Sequence, residues 1–147
     1  MSAPRQLCTF RLDGLWFGLA VSRVQEVLRY QPLTPVPLAP REIAGLINLR
    51  GRIVAAVDLR RRLAMPSRPP GRLPSNVVVH GRDGPLSLLV DEIGEVLAVD
   101  EEQLEPPPQS VEPATRRLLR GVCPLARGLL LWLDGDKLLT GLGENDG

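Results

Sequence analysis

The 147-residue chain is poor in the residue types that build metal sites, disulfide scaffolds and base-stacking surfaces, with two cysteines, one histidine and five aromatic residues. Cys8 and Cys123 have neither CxxC spacing nor the density of a disulfide framework, so we expect two small apolar core residues. Because His80 stands alone, a multi-histidine metal cage is excluded, and we expect no metal and no cofactor. No segment approaches the roughly 18 apolar residues of a membrane span, which predicts a soluble, cytoplasmic protein.

Motifs of catalysis are also lacking. The segment Asp134-Gly135-Asp136 is without the further ligands of a calcium loop, and no glycine-rich loop precedes a long helix. Paired carboxylates with a nearby base are not found either. The sequence therefore predicts no catalytic residue, and we expect a protein that is not an enzyme.

Charge is abundant but unevenly distributed along the chain. Residues 1–75 hold 12 basic and 4 acidic side chains, a net charge of +8, whereas residues 76–147 hold 6 basic and 13 acidic ones, a net charge of −7. Because electrostatic complementarity sets the approach and register of partners, this polarity favours oriented docking to charged proteins. The simpler interpretation is two solvated faces.

The sequence contains an internal duplication. Val21–Leu28 and Val90–Leu97 share the pattern V-[SD]-[RE]-[VI]-x-E-V-L at an offset of 69 residues. At an offset of 76, the residues Gly45, Leu46, Leu49, Ile53, Val57, Asp58 and Leu63 match Gly121, Val122, Leu125, Leu129, Leu133, Asp134 and Leu139. We therefore expect residues 7–65 and 76–142 to form two half-barrels, joined by an exposed proline-rich linker over residues 66–75.

Short strands account for most of each half. Asp13-Gly14 predicts a hairpin turn, and Leu49-Arg50-Gly51 predicts a second one. Ser22 with Gln25 fits a capping box, which predicts one helical turn carrying Val24, Val27 and Leu28. Two sets of about five such strands favour a mainly β protein of two small barrels, closed to hide their edges.

Several motifs together resemble the CheW coupling family. They are Phe17-Gly18-Leu19, Val24-Gln25-Glu26-Val27, Asn48-Leu49-Arg50-Gly51 followed by Ile53–Arg60, and Val90–Val96. Their order and spacing fit the family over nearly residues 7–140. The chain departs from the pattern at Ala55, where the family often has a proline, and in the proline-rich loop after Val99.

This resemblance implies one CheW-like domain over residues 1–147, built of two SH3-like five-stranded barrels packed around a shared core. It also implies an adaptor that couples the cytoplasmic tips of chemoreceptors to the regulatory domain of a CheA-type histidine kinase, itself similar to CheW. Such a protein works in the cytoplasm, at receptor arrays on the inner face of the membrane, without inserting into the bilayer.

Candidate partner-binding residues cluster in the first half of the chain. Arg50 could present its guanidinium to a partner or form a bidentate lock onto Glu26, and both roles stay open. The apolar side chains of Val24, Val27 and Leu28 on the predicted turn could bind a receptor helix or belong to the core. Gly45 and Gly51 are expected where the backbone conformation requires glycine. The predicted set is Val24, Glu26, Val27, Leu28, Gly45, Asn48, Arg50, Gly51 and Ile53.

Two other functions compete with the chemotaxis adaptor. The arginines around Arg60–Arg62 could neutralise nucleic-acid phosphates, but five aromatic residues give no stacking platform and the acidic second half would repel the backbone. We therefore expect no nucleic-acid partner. A scaffold of the same fold in a different sensory array, for surface motility or development, has the same sequence signature.

Overall fold

The computed structural model describes residues 4–142, and their regular structure is almost all β. The strands are β1 Arg5–Leu12, β2 Leu15–Ala20, β3 Val24–Leu28, β4 Ile43–Leu49, β5 Arg52–Asp58, β6 Ser75–Gly81, β7 Gly84–Val90, β8 Glu92–Val99, β9 Leu119–Leu125 and β10 Gly128–Leu133. Three short helices, α1 Leu59–Arg62, α2 Pro113–Arg116 and α3 Gly135–Leu139, lie between or after them. The mainly β prediction is confirmed.

The ten described strands form two five-stranded sheets, in the orders β8-β1-β2-β10-β9 and β3-β6-β7-β5-β4. We call the first barrel 1 and the second barrel 2. Barrel 1 combines β1 and β2 from the first half of the chain with β8, β9 and β10 from the second. Barrel 2 combines β6 and β7 from the second half with β3, β4 and β5 from the first. The prediction that residues 7–65 and 76–142 would each form one half-barrel is therefore wrong, because a sequence repeat does not reveal which copy of a strand is the partner.

The duplication itself extends through the whole topology. When β1 and β2 are matched to β6 and β7, and β3, β4 and β5 to β8, β9 and β10, the strand order of one barrel becomes that of the other. The parallel pairing also repeats, since Trp132 lies opposite Gly18 and Ala56 lies opposite Ser87. Asp58 and Asp134 cap α1 and α3 through the N–H groups of Arg60 and Lys137.

Three apolar clusters hold the sheets together. The largest lies between the barrels and combines side chains such as Phe10, Phe17, Val57, Leu88 and Leu131, all of them buried. Smaller clusters fill the interior of each barrel. In β2, β6, β7 and β10, alternation sends one set of side chains into the strand's own barrel and the other into the common cluster. The shared core that the family resemblance implies is thus present.

The segment before β4 differs from its prediction. Val24–Leu28 is strand β3, and only Val21–Arg23 forms a single 3₁₀ turn. No side chain caps that turn, so the expected capping box of Ser22 and Gln25 is not made. Pairing with β6 prevails over the local signal, because the ladder satisfies backbone groups that one isolated turn would leave to water.

The linker over residues 66–75 is exposed for most of its length, but its first residues are anchored. The buried Arg60 guanidinium donates to the carbonyl oxygens of Pro66 at 3.1 Å and Ser67 at 3.4 Å. It also donates to Asp91 Oδ2 at 2.5 Å, and Arg68 Nε donates to Asp91 Oδ1 at 2.9 Å. Burial acts to raise the pKa of Asp91, but these hydrogen bonds outweigh it and lower that pKa.

Candidate functional site

The hairpin between β4 and β5 presents Arg50 at its tip. Arg50 and Gly51 both have left-handed backbone angles, with φ of 52° and 84°. Two successive positive φ values match the twist of a two-residue hairpin, and glycine adopts them without steric cost. Asn48 Oδ1 accepts a hydrogen bond from the Gly51 N–H at 2.8 Å, which fastens the turn from within the strand.

Arg50 pairs with Glu26 across the mouth of barrel 2. The Arg50 Nη2 group donates to Glu26 Oε2, and this hydrogen bond holds the pKa of the Glu26 carboxyl below its ordinary value. Glu26 lies on β3 and Arg50 follows β4, and these two strands are the opposite edges of the sheet. The predicted pairing is therefore present and joins the two edges of barrel 2, through the contact of Nη2 with Oε2 rather than the expected bidentate one.

The pairing leaves most of the arginine accessible. The Arg50 side chain keeps 68% of its surface exposed, against 20% for Glu26. A guanidinium carries five N–H donors, so those not directed at Glu26 remain available to a second acceptor. The structural role and the docking role of Arg50 are thus compatible in one geometry.

Exposed apolar side chains flank this pair. Val27 keeps 43% of its surface exposed and Ile53 keeps 63%. Ile53 is the register partner of Asn48 on the outer side of the β4–β5 hairpin. Large apolar groups in water are candidate contact points for a protein partner, especially where charged residues surround them.

The remaining predicted residues have internal contacts. Val24 packs against the shared core, whereas Leu28 packs against the interior of barrel 2. The predicted stripe of Val24, Val27 and Leu28 is therefore not one continuous surface. Strand alternation turns Val27 and Leu28 to opposite faces, and the register shift between Val24 and Glu26 separates Val24 from Leu28. Gly45 is buried, and a Cβ there would lie 2.6 Å from the carbonyl oxygen of Thr34. Its role is the close approach of two backbones.

A second pair of the same kind, which sequence reasoning missed, lies at the mouth of barrel 1. Arg127 Nη2 lies 3.5 Å from Glu95 Oε2, and both side chains are more than half exposed. Val96 and Leu129 lie at the repeat positions of Val27 and Ile53 and are also exposed. The repeated V-x-E-V pattern indicated Glu95, but Arg127 aligns with Gly51 rather than with Arg50, so no sequence signal pointed to the pair.

Two clefts of about 790 and 850 Å³ also follow the repeat. Residues at matching repeat positions line them, Leu15, Trp16 and Met65 in the first and Gly84, Pro85 and Gly141 in the second. The duplication thus extends from the cores to the surface, although the first cleft has the larger apolar side chains. No helix among residues 4–142 has the length and apolar character needed to cross a membrane.

The model of the CheW-like domain family matches residues 6–142. The chain belongs to this family. Among curated relatives, the chemotaxis protein CheW of Treponema pallidum is 30% identical over 92% of this chain and 82% of its own length. The CheW of Rhizobium meliloti is 29% identical over 91% of this chain and 86% of the relative.

Solved structures give the same result for the CheW fold. The crystal structure of the scaffolding protein TtCheW from Thermoanaerobacter tengcongensis aligns with a TM-score of 0.80 and 26% identity. The alignment covers 96% of both chains. Two SH3-like barrels and the role of a chemotaxis coupling scaffold follow from this membership. The CheW resemblance predicted from the motifs is confirmed.

Proposed function

We propose that this CheW-like chain is a non-enzymatic cytoplasmic adaptor that holds a chemoreceptor tip and the regulatory domain of a CheA-type histidine kinase together. The proposal rests on family membership and on one geometric observation. The exposed Arg50 on a fixed hairpin tip pairs with Glu26, and Val27, next to Glu26 in β3, and Ile53, in the same hairpin as Arg50, are exposed as well. Holding two partners on one body raises their effective concentration, and no bond is made or broken by the adaptor.

The docking surface that we assign comprises Glu26, Val27, Asn48, Arg50 and Ile53. The apolar side chains supply contact area, and Arg50 supplies directional hydrogen bonds to a partner carboxylate or carbonyl group. Asn48 and Glu26 restrict the turn and the guanidinium, so little conformational entropy is lost on docking. Val24, Leu28 and Gly45 support this surface from inside the fold, and Gly51 shapes the exposed turn that presents Arg50.

Arg50→Ala tests the assignment in a reconstituted mixture of receptor, kinase and adaptor, with kinase autophosphorylation as the readout. We expect the parent chain to restore receptor control of kinase autophosphorylation. We expect Arg50→Ala to reduce this effect at least tenfold. The matched control is Arg127→Ala, which removes the corresponding exposed arginine from barrel 1. Equal activity of Arg50→Ala and the parent chain would contradict the proposed docking surface.

A charge swap separates the direct role of Arg50 from its structural role. In the double variant Glu26→Arg/Arg50→Glu, the ion pair across the mouth of barrel 2 can re-form with its partners exchanged. We expect normal unfolding by urea but no recovery of kinase coupling, because the partner meets a carboxylate where it needs a guanidinium. Full recovery of coupling would show that Arg50 acts only through Glu26.

A further inference from the structure

The two halves of the chain depend on each other for every sheet. Strand pairs within one half are all hairpins, namely β1–β2, β4–β5, β6–β7 and β9–β10. The pairs β1–β8, β2–β10, β3–β6 and β5–β7 all join one half to the other. The contacts that build the barrels are therefore contacts between the halves, and only the linker makes the two halves one chain.

The point at which the linker reverses is a tight exposed turn. The Arg72 N–H donates to the Pro69 carbonyl oxygen at 3.2 Å, and Gly71 has a φ of 84°. Proline at the second position and a left-handed glycine at the third are the residues that a type II turn requires. Residues 69–73 are all exposed, so straightening them would cost the exposed ion pair of Arg72 with Glu92, at 3.6 Å, but no buried contact.

The buried anchors lie on either side of this turn. Arg60 and Arg68 precede it and Asp91 follows it, and both arginines hydrogen-bond to the Asp91 carboxylate. These anchors are thus contacts of the first half with the second, like the strand pairs. They would form equally well if the second half came from another copy of the chain.

We infer that this chain is able to exchange halves with a second copy of itself when the turn at residues 69–73 opens. The first half of each copy would then pair with the second half of the other, giving four complete barrels in one dimer. Exchange of identical elements is a low-cost route to dimers, because the new contacts repeat those of the monomer. The inference does not rest on the proposed function, and it adds a form that carries two copies of every docking surface.

Gly71→Pro tests the inference by removing the turn. The substitution creates three successive prolines at 69–71, whose fixed φ and restricted ψ favour an extended segment over a reversal. The matched control is Gly71→Asn, because asparagine tolerates the left-handed conformation and keeps the turn. We expect light scattering to give twice the monomer mass for Gly71→Pro and the monomer mass for Gly71→Asn.

Engineered disulfides distinguish exchange from side-by-side association, in a background where Cys8 and Cys123 are replaced by alanine. Gln6 and Ala98 are exposed register partners on β1 and β8, which come from different halves. The pair Gln6→Cys/Ala98→Cys therefore links two chains only after exchange. Asn48→Cys/Ile53→Cys lies within one half and should stay within one chain in either form.

The expected result for Gly71→Pro is a covalent dimer with the 6–98 pair and none with the 48–53 pair, on gels without reductant. A monomer, or a dimer whose 6–98 bond stays within each chain, would overturn the inference. Should Gly71→Pro fail to fold, the 6–98 chain with its native turn decides after refolding from urea at rising concentration. A growing share of chains linked between positions 6 and 98 supports exchange, and bonds within single chains at every concentration refute it.

Discussion

Barrels 1 and 2 share their topology but differ in what fills them. In barrel 1, Trp132 occupies the centre with Leu7, Trp16 and Leu130, and all of them are buried. Gly18 lies opposite Trp132 in the parallel pairing, and a Cβ on Gly18 would come within 3.0 Å of Leu7. Leu7 and Leu130 thus leave little room for a side chain at Gly18, as expected of an interior packed to crystal-like density.

Barrel 2 has small and polar residues at the same repeat positions. Ala56 replaces the tryptophan, Ser87 replaces the glycine and Asn76 replaces the leucine. The Ser87 hydroxyl donates to Asn76 Oδ1 at 2.7 Å, and Asn76 Nδ2 donates to the Arg29 carbonyl oxygen at 3.1 Å. A buried amide is tolerated because it is hydrogen-bonded, and here it fastens the chain directly after β3.

The contrast separates two tasks within one duplicated fold. Barrel 1 has an apolar interior that serves stability, whereas the polar pair of barrel 2 fixes the end of the strand that carries Glu26 and Val27. A hydrogen bond is directional and sets position, which dispersion and hydrophobic burial do less well. We therefore expect substitutions in barrel 1 to change mainly stability, and those in barrel 2 to change docking as well.

The largest effect is expected for Trp132→Ala in barrel 1. Truncation of a fully buried tryptophan leaves a cavity and loses the ring's contact with the Arg120 guanidinium, 4.8 Å from the ring centroid. We expect a loss of about 3–5 kcal/mol in the free energy of unfolding, measured with urea. Ala56→Gly, at the matching position of barrel 2, should cost only about 1 kcal/mol. Similar losses for the two variants would show that the barrels are filled alike.

The next effect concerns the two points where the chain crosses between barrels. At the β7–β8 crossing, Asp91 is buried and pairs with Arg60 and Arg68, whereas at the β2–β3 crossing Arg23 pairs with the exposed Asp136. Asp91→Asn leaves the buried Arg68 without its ion-pair partner and Arg60 with only the more distant Asp13, at 3.9 Å, and we expect it to cost about 3 kcal/mol. Asp136→Asn should cost at most about 1 kcal/mol, since exposed pairs are screened by water.

Urea titrations of the two variants beside the parent chain measure this difference. Equal losses would mean that the ion pairs at the two crossings contribute equally to the free energy of unfolding despite their different burial. The linker gives an independent signal, since the Arg60 guanidinium also holds the carbonyl oxygens of Pro66 and Ser67. We expect Asp91→Asn to increase proteolytic cleavage within residues 66–75, and Asp136→Asn to leave it unchanged.

A smaller effect is expected for Asn76→Leu, which gives barrel 2 the leucine of barrel 1. The Ser87 hydroxyl then loses its acceptor in a buried site, and we expect a loss of about 1–3 kcal/mol. Asn76→Leu/Ser87→Gly removes both polar partners and copies the pair Leu7 and Gly18, so part of this loss should return. If the double variant loses more free energy of unfolding than the two single variants lose together, this account of the polar pair is contradicted.

Much of this architecture follows from the sequence, because duplication and strand patterns are local signals. The hairpins at Asp13-Gly14 and Arg50-Gly51 are present where turn chemistry predicted them. The ion pair of Glu26 and Arg50 was one of two interpretations of the same motif, and it is confirmed. The assignment of Arg50 to a partner remains a prediction, since a side chain's exposure does not name its acceptor.

The pairing of strands from different halves within one chain could not be predicted in the same way. A pattern such as V-x-E-V identifies a strand but is silent on its neighbour, because main-chain hydrogen bonds do not depend on side-chain identity. The strand Val24–Leu28 shows the same limit, since its pairing with β6 overrides a local capping signal. Arg127 was missed because its place in the hairpin is shifted by one residue relative to Arg50.

The smallest effect separates the two Glu–Arg pairs by pH. The hydrogen bond from Arg50 holds the pKa of Glu26 below its unfolded value of about 4.3. A lowered pKa in the folded state stabilises the fold fully above the unfolded value, and this contribution disappears as the pH falls through the folded value. Glu26→Gln should therefore be less stable than the parent chain at pH 7, and the difference should shrink at an acid pH well below the unfolded value. Glu95→Gln, which alters the looser pair of barrel 1, should track the parent chain at both pH values in urea titrations. A pH-independent deficit of Glu26→Gln would mean that the side chain's shape, and not its charge, closes the mouth of barrel 2.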